Sequence, residues 1–467
     1  AIRSGDEYGK NKILEGKRVI IEYTNANPFK EFHIGHLMNN TVGESLSRLL
    51  EFGGAEVRRA NYQGDVGLHI AKTLWGMKKS DESSPTIESL AKAYAQGSDE
   101  YGKSETAQKE IIEINKKIYE QSDEEINKRY TEGKKVSISY FEELYARLGT
   151  VFDDYYFEST TASIGTKMVT DNLGSIFKES QGAVIFPAEE YDEKLHTRVF
   201  ITKEGLPTYE AKDLGLAKLK YSSYPYDMSF VITGNEVKEY FKVVYTALAQ
   251  IEPELAARTT HLPHGMLRLK NGKMSSRTGD VITASALLDD VYTRVLQKMK
   301  DTELSHKEKE RIGEEVTVGA VKYSILHQAL GRDVVFDFDT SLSFEGNSGP
   351  YLQYTYARTQ SLLRKAEEKG KETQNASLHE EKRKEVSDIE RLAYRFPEVV
   401  TEAMYEREPH HIATYLFSLA HAFNAYYSKN KILGSENEAY RLALTASVAQ
   451  ILKNGLWILG MKAPERM

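Results

Sequence analysis

The sequence predicts an α/β protein: a doubly wound parallel sheet with an insertion, followed by an all-α bundle. Three observations carry this reading. A β-branched apolar run, "KRVIIEYTN" (Lys17–Asn25), hands over through a short loop to a helical pattern and then to a second strand-like run. Strand-like and helical segments alternate again between Ala183 and Thr233. From about residue 303 onward nearly everything keeps helical period. Strand, glycine-containing turn, helix and strand make the opening unit of a Rossmann-type sheet.

Taken in order, residues 1–16, "AIRSGDEYGKNKILEG", read as a polar linker stub, with the expectation that something upstream has been removed. The first strand is bounded by Gly16 and by an Asn/Pro cluster. Met38, Val42, Leu46, Leu49 and Leu50 then recur at helical spacing until Gly53-Gly54 stop them. "AEVRRANY" resumes as a strand. From about Trp75 the text turns to a Ser-rich loop and helices, with Ala107, Ile111, Ile114 and Ile118 on one face and Ile138, Phe141, Leu144 and Leu148 on another. Residues 77–205 are therefore expected as one insertion. "AVIFP" and "TRVFITKEG" alternate in character, a helix follows from Tyr209 to Lys220, then a strand "MSFVIT"; these should complete the sheet's second half. The polar run "EEKGKETQNASLHEEKRKEV" reads as an exposed loop between bundle helices. The resulting map is 1–16 linker, 17–302 sheet domain with the insertion, 303–345 helical connection and 346–467 helical domain.

Composition narrows the function classes. A chain of 467 residues suggests two to four domains, on a prior of about 100–200 residues each. With 40% hydrophobic and 28% charged residues it belongs with ordinary globular proteins. No apolar run approaches the roughly 18 residues of a membrane span, and a cytoplasmic setting is expected. Zero cysteines exclude disulfides, thiolate metal sites and a thiolate nucleophile. The net charge of −7 argues against a surface that grips nucleic acid everywhere, while leaving room for local basic faces.

Two motifs carry chemistry. "NPFKEFHIGHLMNN" (Asn27–Asn40) puts His33, Gly35 and His36 where a strand hands over to a helix. Such a corner points backbone N–H groups and the positive end of a helix dipole at one spot, which suits an anion. Gly35 allows close approach, and His33 and His36 can donate to phosphate oxygens. The alternative is a pair of ordinary surface or core histidines; His-Ile-Gly-His arises by chance on the order of once per thousand chains of this length. Downstream, "LKNGKMSSRTGDVIT" (Leu269–Thr283) places Lys273, Ser275, Ser276 and Arg277 in a Gly-rich loop suited to closing over a triphosphate.

In order and spacing, these two motifs resemble the HIGH and KMSKS signatures of class I aminoacyl-tRNA synthetases. Further strings resemble the arginyl-tRNA synthetase family: "EYTNANPFKEFHIGHL", "NYQGDVG" (Asn61–Gly67), "TYEAKDLGLA" (Thr208–Ala217), "GAVKYSIL" (Gly319–Leu326), "GPYLQYTYARTQSLLRKA" (Gly349–Ala366) and the closing "APERM". The resemblance spans essentially residues 14–467, without the N-terminal module that the family usually carries.

That resemblance implies activation of arginine by ATP and transfer to the terminal adenosine of tRNA, with magnesium held mainly by the ATP phosphates. It implies that His33 and His36 bind phosphate, that Gly35 lies under the adenosine, and that Lys273 meets the outer phosphates with Ser275 and Ser276 beside it. The second lysine of KMSKS is absent, since Ser276 stands there; many arginyl enzymes carry a lysine just before the HIGH motif instead, and Lys30 occupies that position. A planar guanidinium calls for carboxylates in a fork geometry. Glu22, with Asp213 and Tyr209 four apart on one helix, matches the family positions for this work, and Asn27 would hold the α-amino group. Where some relatives have a glutamine, "TGNEVKEY" offers Asn235 or Glu236. Gln63 and Asp65 are expected to line the cleft. The helical tail implies anticodon recognition, in which aromatics stack on bases and cations track phosphates. Tyr354, Arg358 and Tyr427 are the candidates, with Arg364, Lys365, Phe423, Asn424 and Lys429 nearby. Each aromatic there is individually more often core than platform. The family default is a monomer whose adenylate step needs bound tRNA. Two other classes are a different HIGH-bearing nucleotidyltransferase, which generally lacks such a helical tail, and a non-catalytic tRNA-binding fragment, against which the intact Lys30, His33, His36 and Lys273 argue.

Overall fold

The computed structural model describes residues 1–80, 85–270, 282–371 and 386–467. They divide into two compact units, one of Arg18–Asn39 and Arg58–Pro263, the other of Ala1–Lys17, Asn40–Val57 and His264–Met467.

The first unit is built on a five-stranded sheet. In chain order its elements are β1 (Arg18–Glu22), the opening of α1 (Ile34–Phe52), β2 (Glu56–Gln63), α2 (Leu68–Ser80), α3 (Ile87–Lys103), α4 (Glu105–Glu120), α5 (Glu124–Leu148), β3 (Asp154–Phe157), α6 (Glu158–Thr170), β4 (Lys178–Ser180), β5 (Ala183–Phe186), β6 (Arg198–Ile201), α7 (Tyr209–Ser223), β7 (Met228–Gly234), α8 (Lys238–Ile251), α9 (Pro253–Ala257) and β8 (Thr259–His264). The strand order is β3-β2-β1-β7-β8. β1 runs parallel to β7, with Val19 opposite Met228 and Glu22 opposite Val231, and β2 runs parallel to β3. β1 is buried on both faces at Val19, Ile20 and Ile21, as its unbroken apolar run dictates. Chain order reverses between β1 and β7, so the crevice beyond their carboxyl ends is where such a sheet binds ligands.

Two expectations need correction. The stretch 77–205 is not one insertion: β3, inside it, is a strand of the central sheet. And the runs "AVIFP" and "TRVFITKEG" do not extend that sheet, because β4, β5 and β6 form a separate antiparallel sheet of three strands. Alternation in sequence shows that a segment is a strand with one covered face, and it leaves open which sheet the strand joins. Phe177, just before β4, and Phe186 and Phe200 of the small sheet pack into one core with Leu214 and Ala217 of α7. Helix α6 lies hard against α7. A Cβ on Gly165 would come 1.8 Å from the Ala211 carbonyl oxygen, and one on Gly215 would come 2.2 Å from that of Thr161. This crossing fixes the helix that carries Tyr209 and Asp213.

The second unit continues with β9 (Leu267–Leu269), α10 (Ala284–Lys298), α11 (His306–Leu326), β10 (Val334–Phe336), α12 (Phe338–Ser341), α13 (Gly349–Glu367), α14 (Asp388–Glu406), α15 (His410–Lys429) and α16 (Glu438–Ile458). α11 is covered nearly along its C-terminal half, from Val316 to Leu326. Residues 1–16 are no free linker. Pro397 inside α14 has no N–H for the carbonyl of Ala393 one turn earlier, and the Tyr8 hydroxyl donates to that oxygen at 2.7 Å. Asp6 pairs with Lys453 at 2.8 Å, and Asn454 donates to the Tyr8 carbonyl. No helix among the described residues is long and apolar enough to cross a membrane.

Candidate active site

Between Glu22 and α1 the chain makes a strained loop. Thr24, Asn25 and Phe29 all have positive φ (75°, 53° and 68°), a region that costs a non-glycine residue on the order of 1 kcal/mol or more. Cross-bonds hold it there. The Thr24 N–H donates to Asn39 Oδ1 at 3.1 Å and the Phe29 N–H to Ser137 Oγ at 2.8 Å. The N–H groups of Tyr62 and Gly64 donate to the side-chain oxygens of Asn25 and Asn27 at 3.0 and 2.9 Å. Loop, β2 and α5 thus define one rigid corner.

On that corner the imidazoles of His33 and His36 stack, with centroids 3.6 Å apart and planes inclined by 21°. The Gly35 N–H donates to His33 Nδ1 at 3.1 Å, and the His33 N–H donates to His36 Nδ1 at 3.2 Å. Both Nδ1 atoms are acceptors, so each neutral ring carries its proton on Nε2. Burial lowers both pKa values, His36 the further, and the charge of Lys30 lowers them again. A Cβ at position 35 would meet the His33 ring at 2.9 Å, so a larger residue there would have to displace that ring. The arrangement offers two Nε2–H donors at the N-terminal end of α1, where the positive end of the helix dipole also favours an anion.

Lys30 reaches the same corner. Its ammonium lies 5.1 Å from the Tyr94 ring centroid, and burial followed by neighbouring Lys72 lowers its pKa while Glu158 opposes the shift. His69, bonded through Nε2 to the Gly64 carbonyl at 2.9 Å, is held down to about pKa 4, chiefly by burial and then by Lys30. Exposed Glu236 is near enough to His33 to oppose the lowering of its pKa.

Deeper in the crevice is an acidic cluster. The Glu22 carboxylate receives Lys220 Nζ at 2.6 Å and Asn25 Nδ2 at 3.1 Å, with Glu22 and Lys220 both buried. Asp213 accepts a hydrogen bond from the Tyr240 hydroxyl at 2.6 Å. Protein crowds Asp213 although some solvent still reaches it, as on the wall of a narrow cleft. Burial raises its pKa to about 8; the Tyr240 bond and Lys220 pull downward, and Glu22 and Glu158 push up. Glu158 pairs with Lys212 at 2.6 Å, and Lys212 lies 4.8 Å from the Tyr209 ring, which is itself 56% exposed at the start of α7. A Cβ on Gly64 would fall within 2.8 Å of both Asn27 Oδ1 and Glu158 Oε1, so Asn27 and Glu158 flank the same point.

Of the residues named from sequence, Glu22, Asn27, Lys30, His33, Gly35, His36, Tyr209, Asp213 and Glu236 stand around this crevice, and Glu158, Lys212, Lys220 and Tyr240, which were not named, stand there with them. Lys220 stands seven residues after Asp213, on the same helical face, which is the one available signal. Asp65 is a correction. It is wholly buried and receives Lys134 Nζ, the Tyr130 hydroxyl and both the N–H and hydroxyl of Ser159, so its carboxylate braces α5 against α6 and does not line the cleft. Gln63 is buried near Tyr145. Lys273, Ser275 and Ser276 lie outside the described residues.

Residues 1–338 match the family of class I tRNA synthetases (R), catalytic domain, and residues 352–467 match the DALR anticodon binding domain. The chain belongs to the arginyl-tRNA synthetase family. The arginine–tRNA ligase of Clostridium perfringens is 31% identical over 100% of this chain and 83% of its own length. That of Treponema denticola is 33% identical over 97% of this chain and 80% of its own. Among solved structures, Thermus thermophilus arginyl-tRNA synthetase superposes with a TM-score of 0.82 at 25% identity, covering 100% of this chain and 85% of that one. The first match ends at residue 338 and the second begins at residue 352.

In the helical unit of this synthetase-family chain, Tyr354, Arg358 and Tyr427 come together. The Arg358 guanidinium lies 4.8 Å from the Tyr354 ring and 5.1 Å from the Tyr427 ring, and it donates to Asn424, which in turn donates to Thr355 at 2.8 Å. They line a cavity of about 630 Å³ together with Arg364, Lys365 and Met467. Tyr354 and Tyr427 are partly exposed, whereas Phe423 is wholly buried core.

Proposed function

We infer that this chain is an arginine–tRNA ligase, which activates arginine with ATP to arginyl-adenylate and passes the aminoacyl group to the terminal adenosine of its tRNA. One observation carries the reading. A corner that presents the donors Lys30, His33 and His36, and a carboxylate cluster of Glu22 and Asp213, occupy the same switch point of the sheet.

In the first step a carboxylate oxygen of arginine attacks the α-phosphorus of ATP, a new O–P bond forms, and the bond to pyrophosphate breaks. No protein nucleophile is needed, so positioning and stabilisation of charge on phosphate oxygens make up the catalysis. The Nε2–H groups of His33 and His36 donate to those oxygens, Lys30 supplies the charge that Ser276 lacks, Gly35 leaves room for the adenosine, and Lys273, Ser275 and Ser276 act on the outer phosphates. Neutral imidazoles suit this role, since they donate without competing for protons near neutral pH. Magnesium, bound with the nucleotide, would neutralise the triphosphate. The side chains at the corner are N–H and ammonium donors, which suit phosphate oxygens and repel a cation. Asp213 and Glu22 hold the guanidinium, Tyr209 closes over the substrate, Asn27 takes the α-amino group through its free lone pair, and Glu236 stands at the rim.

In the second step the 2′-hydroxyl of the terminal adenosine attacks the adenylate carbonyl and AMP leaves. Tyr354 and Tyr427 offer faces on which unstacked anticodon bases rest, with Arg358 between them and Arg364 and Lys365 toward phosphates. The chain acts as a cytoplasmic monomer, and tRNA must be bound before arginine is activated. Pyrophosphate exchange tests the whole reading: it should require both arginine and tRNA, and exchange absent under every combination would overturn it.

A further inference from the structure

Resting on the arginine-site reading above, we propose that the Tyr245 hydroxyl is a specificity-determining contact, accepting a hydrogen bond from the substrate guanidinium beside Asp213. Tyr245 lies on α8, its ring 5.5 Å from that of Phe241 and packed against the core that includes Val243 and Val244. That packing fixes where the hydroxyl stands. The hydroxyl oxygen is buried, and among the described residues it has no hydrogen-bond partner. A buried hydroxyl without a partner carries a desolvation cost that a partner would relieve.

Its surroundings indicate the partner. The buried, unpartnered oxygen lies within electrostatic range of Glu22, Asp213 and Tyr226, which after burial itself are the groups that raise the Tyr245 pKa. The acceptors there are partly used. Lys220 and Asn25 occupy Glu22, and Tyr240 occupies one oxygen of Asp213. Tyr62, also close to Asp213, spends its hydroxyl on Thr161 at 3.0 Å. A guanidinium brings five N–H donors in a fixed plane. The oxygen of Asp213 not bonded to Tyr240 takes some of them, and the Tyr245 oxygen offers a neutral acceptor, as does the nearby Tyr226 hydroxyl, which is likewise buried without a partner among the described residues. Lysine's compact ammonium, with three donors on one nitrogen, cannot reach both groups in the same way. Because Lys220 already cancels Glu22, charge attraction alone discriminates poorly between arginine and lysine, and a directional acceptor supplies the difference.

The test is calorimetric binding of L-arginine and L-lysine to the full chain, wild type and Tyr245→Phe, with Asp213→Asn as control. Loss of a hydrogen bond to a charged group should weaken arginine binding about tenfold or more in Tyr245→Phe, with lysine binding changed less than twofold. The melting temperature of Tyr245→Phe should equal or exceed that of wild type, because the hydroxyl has no partner among the described residues. Unchanged arginine affinity in Tyr245→Phe, alongside loss of binding in Asp213→Asn, would overturn this inference and leave the arginine site standing. Arginine binding that survives Asp213→Asn would overturn the site reading itself, and this inference with it.

Discussion

The Lys220 ammonium lies 2.6 Å from the Glu22 carboxylate, with both side chains almost entirely removed from solvent. A buried pair of this kind gives little net stability, but removing one partner leaves an uncompensated charge and costs roughly 3–5 kcal/mol. Lys220→Met should therefore lower stability by about that amount, measured by urea unfolding, and adding Glu22→Gln should restore most of it. Purely additive losses in the double variant would contradict the coupling.

Asp213 makes binding depend on pH. Its folded pKa is raised to about 8, so in the empty site the carboxyl stays protonated through neutral pH, and a guanidinium favours its ionised form. Arginine affinity should rise between pH 6 and about 8, by up to roughly tenfold per unit, and level off above. Stability runs the other way. A folded pKa above the unfolded value contributes stability that is fully present below about pH 4 and is lost as pH rises toward about 8. Asp213→Asn should flatten that dependence, raise the melting temperature at pH 8 and abolish arginine binding, a trade of stability for function. Calorimetry and thermal melts across this window check both signs.

The histidine corner predicts a third outcome. Since burial and Lys30 depress the His33 and His36 pKa values, adenylate formation should show no loss of activity as pH falls from 7.5 through 6.5 that can be assigned to these rings. Replacing either by alanine should slow adenylate formation about 10²–10³-fold, the typical cost of one transition-state donor. Gly35→Ala, whose Cβ meets the His33 ring, should slow the same step while leaving arginine affinity within twofold. Single-turnover kinetics separate the two.

The sheet class and the helical tail were legible in the sequence, and so were some of the residues that gather at the candidate site. His33, Gly35 and His36 were legible because three chemically distinctive residues sit within four positions, at the junction where apolar period changes from strand to helix. Lys30 was legible only through resemblance. Lys220 and Lys212 were not, since a lysine inside a helical pattern reads as a solvated face until the carboxylate that buries it is known. Asp65 failed for the converse reason: its partners Lys134, Tyr130 and Ser159 are far away in the chain, and no local pattern marks an aspartate as already satisfied. β3 was missed as a strand of the central sheet because its four residues, Asp154–Phe157, are too few to show a period.

For the helical unit, Tyr354→Ala and Tyr427→Ala should each raise the KM for tRNA roughly 5- to 100-fold, as loss of one stacked base does, without changing arginine affinity. Charging assays at varied tRNA concentration check this; an effect on kcat alone would argue for a merely structural role.

The central claim is that donor corner and carboxylate cluster act on one substrate pair. Its most direct test is tRNA-dependent pyrophosphate exchange with arginine, lysine and citrulline, in wild type and Lys30→Ala. Exchange should occur with arginine alone, and Lys30→Ala should reduce its rate far more than it weakens arginine binding. Equal exchange with citrulline, or equal losses of rate and affinity in Lys30→Ala, would contradict it.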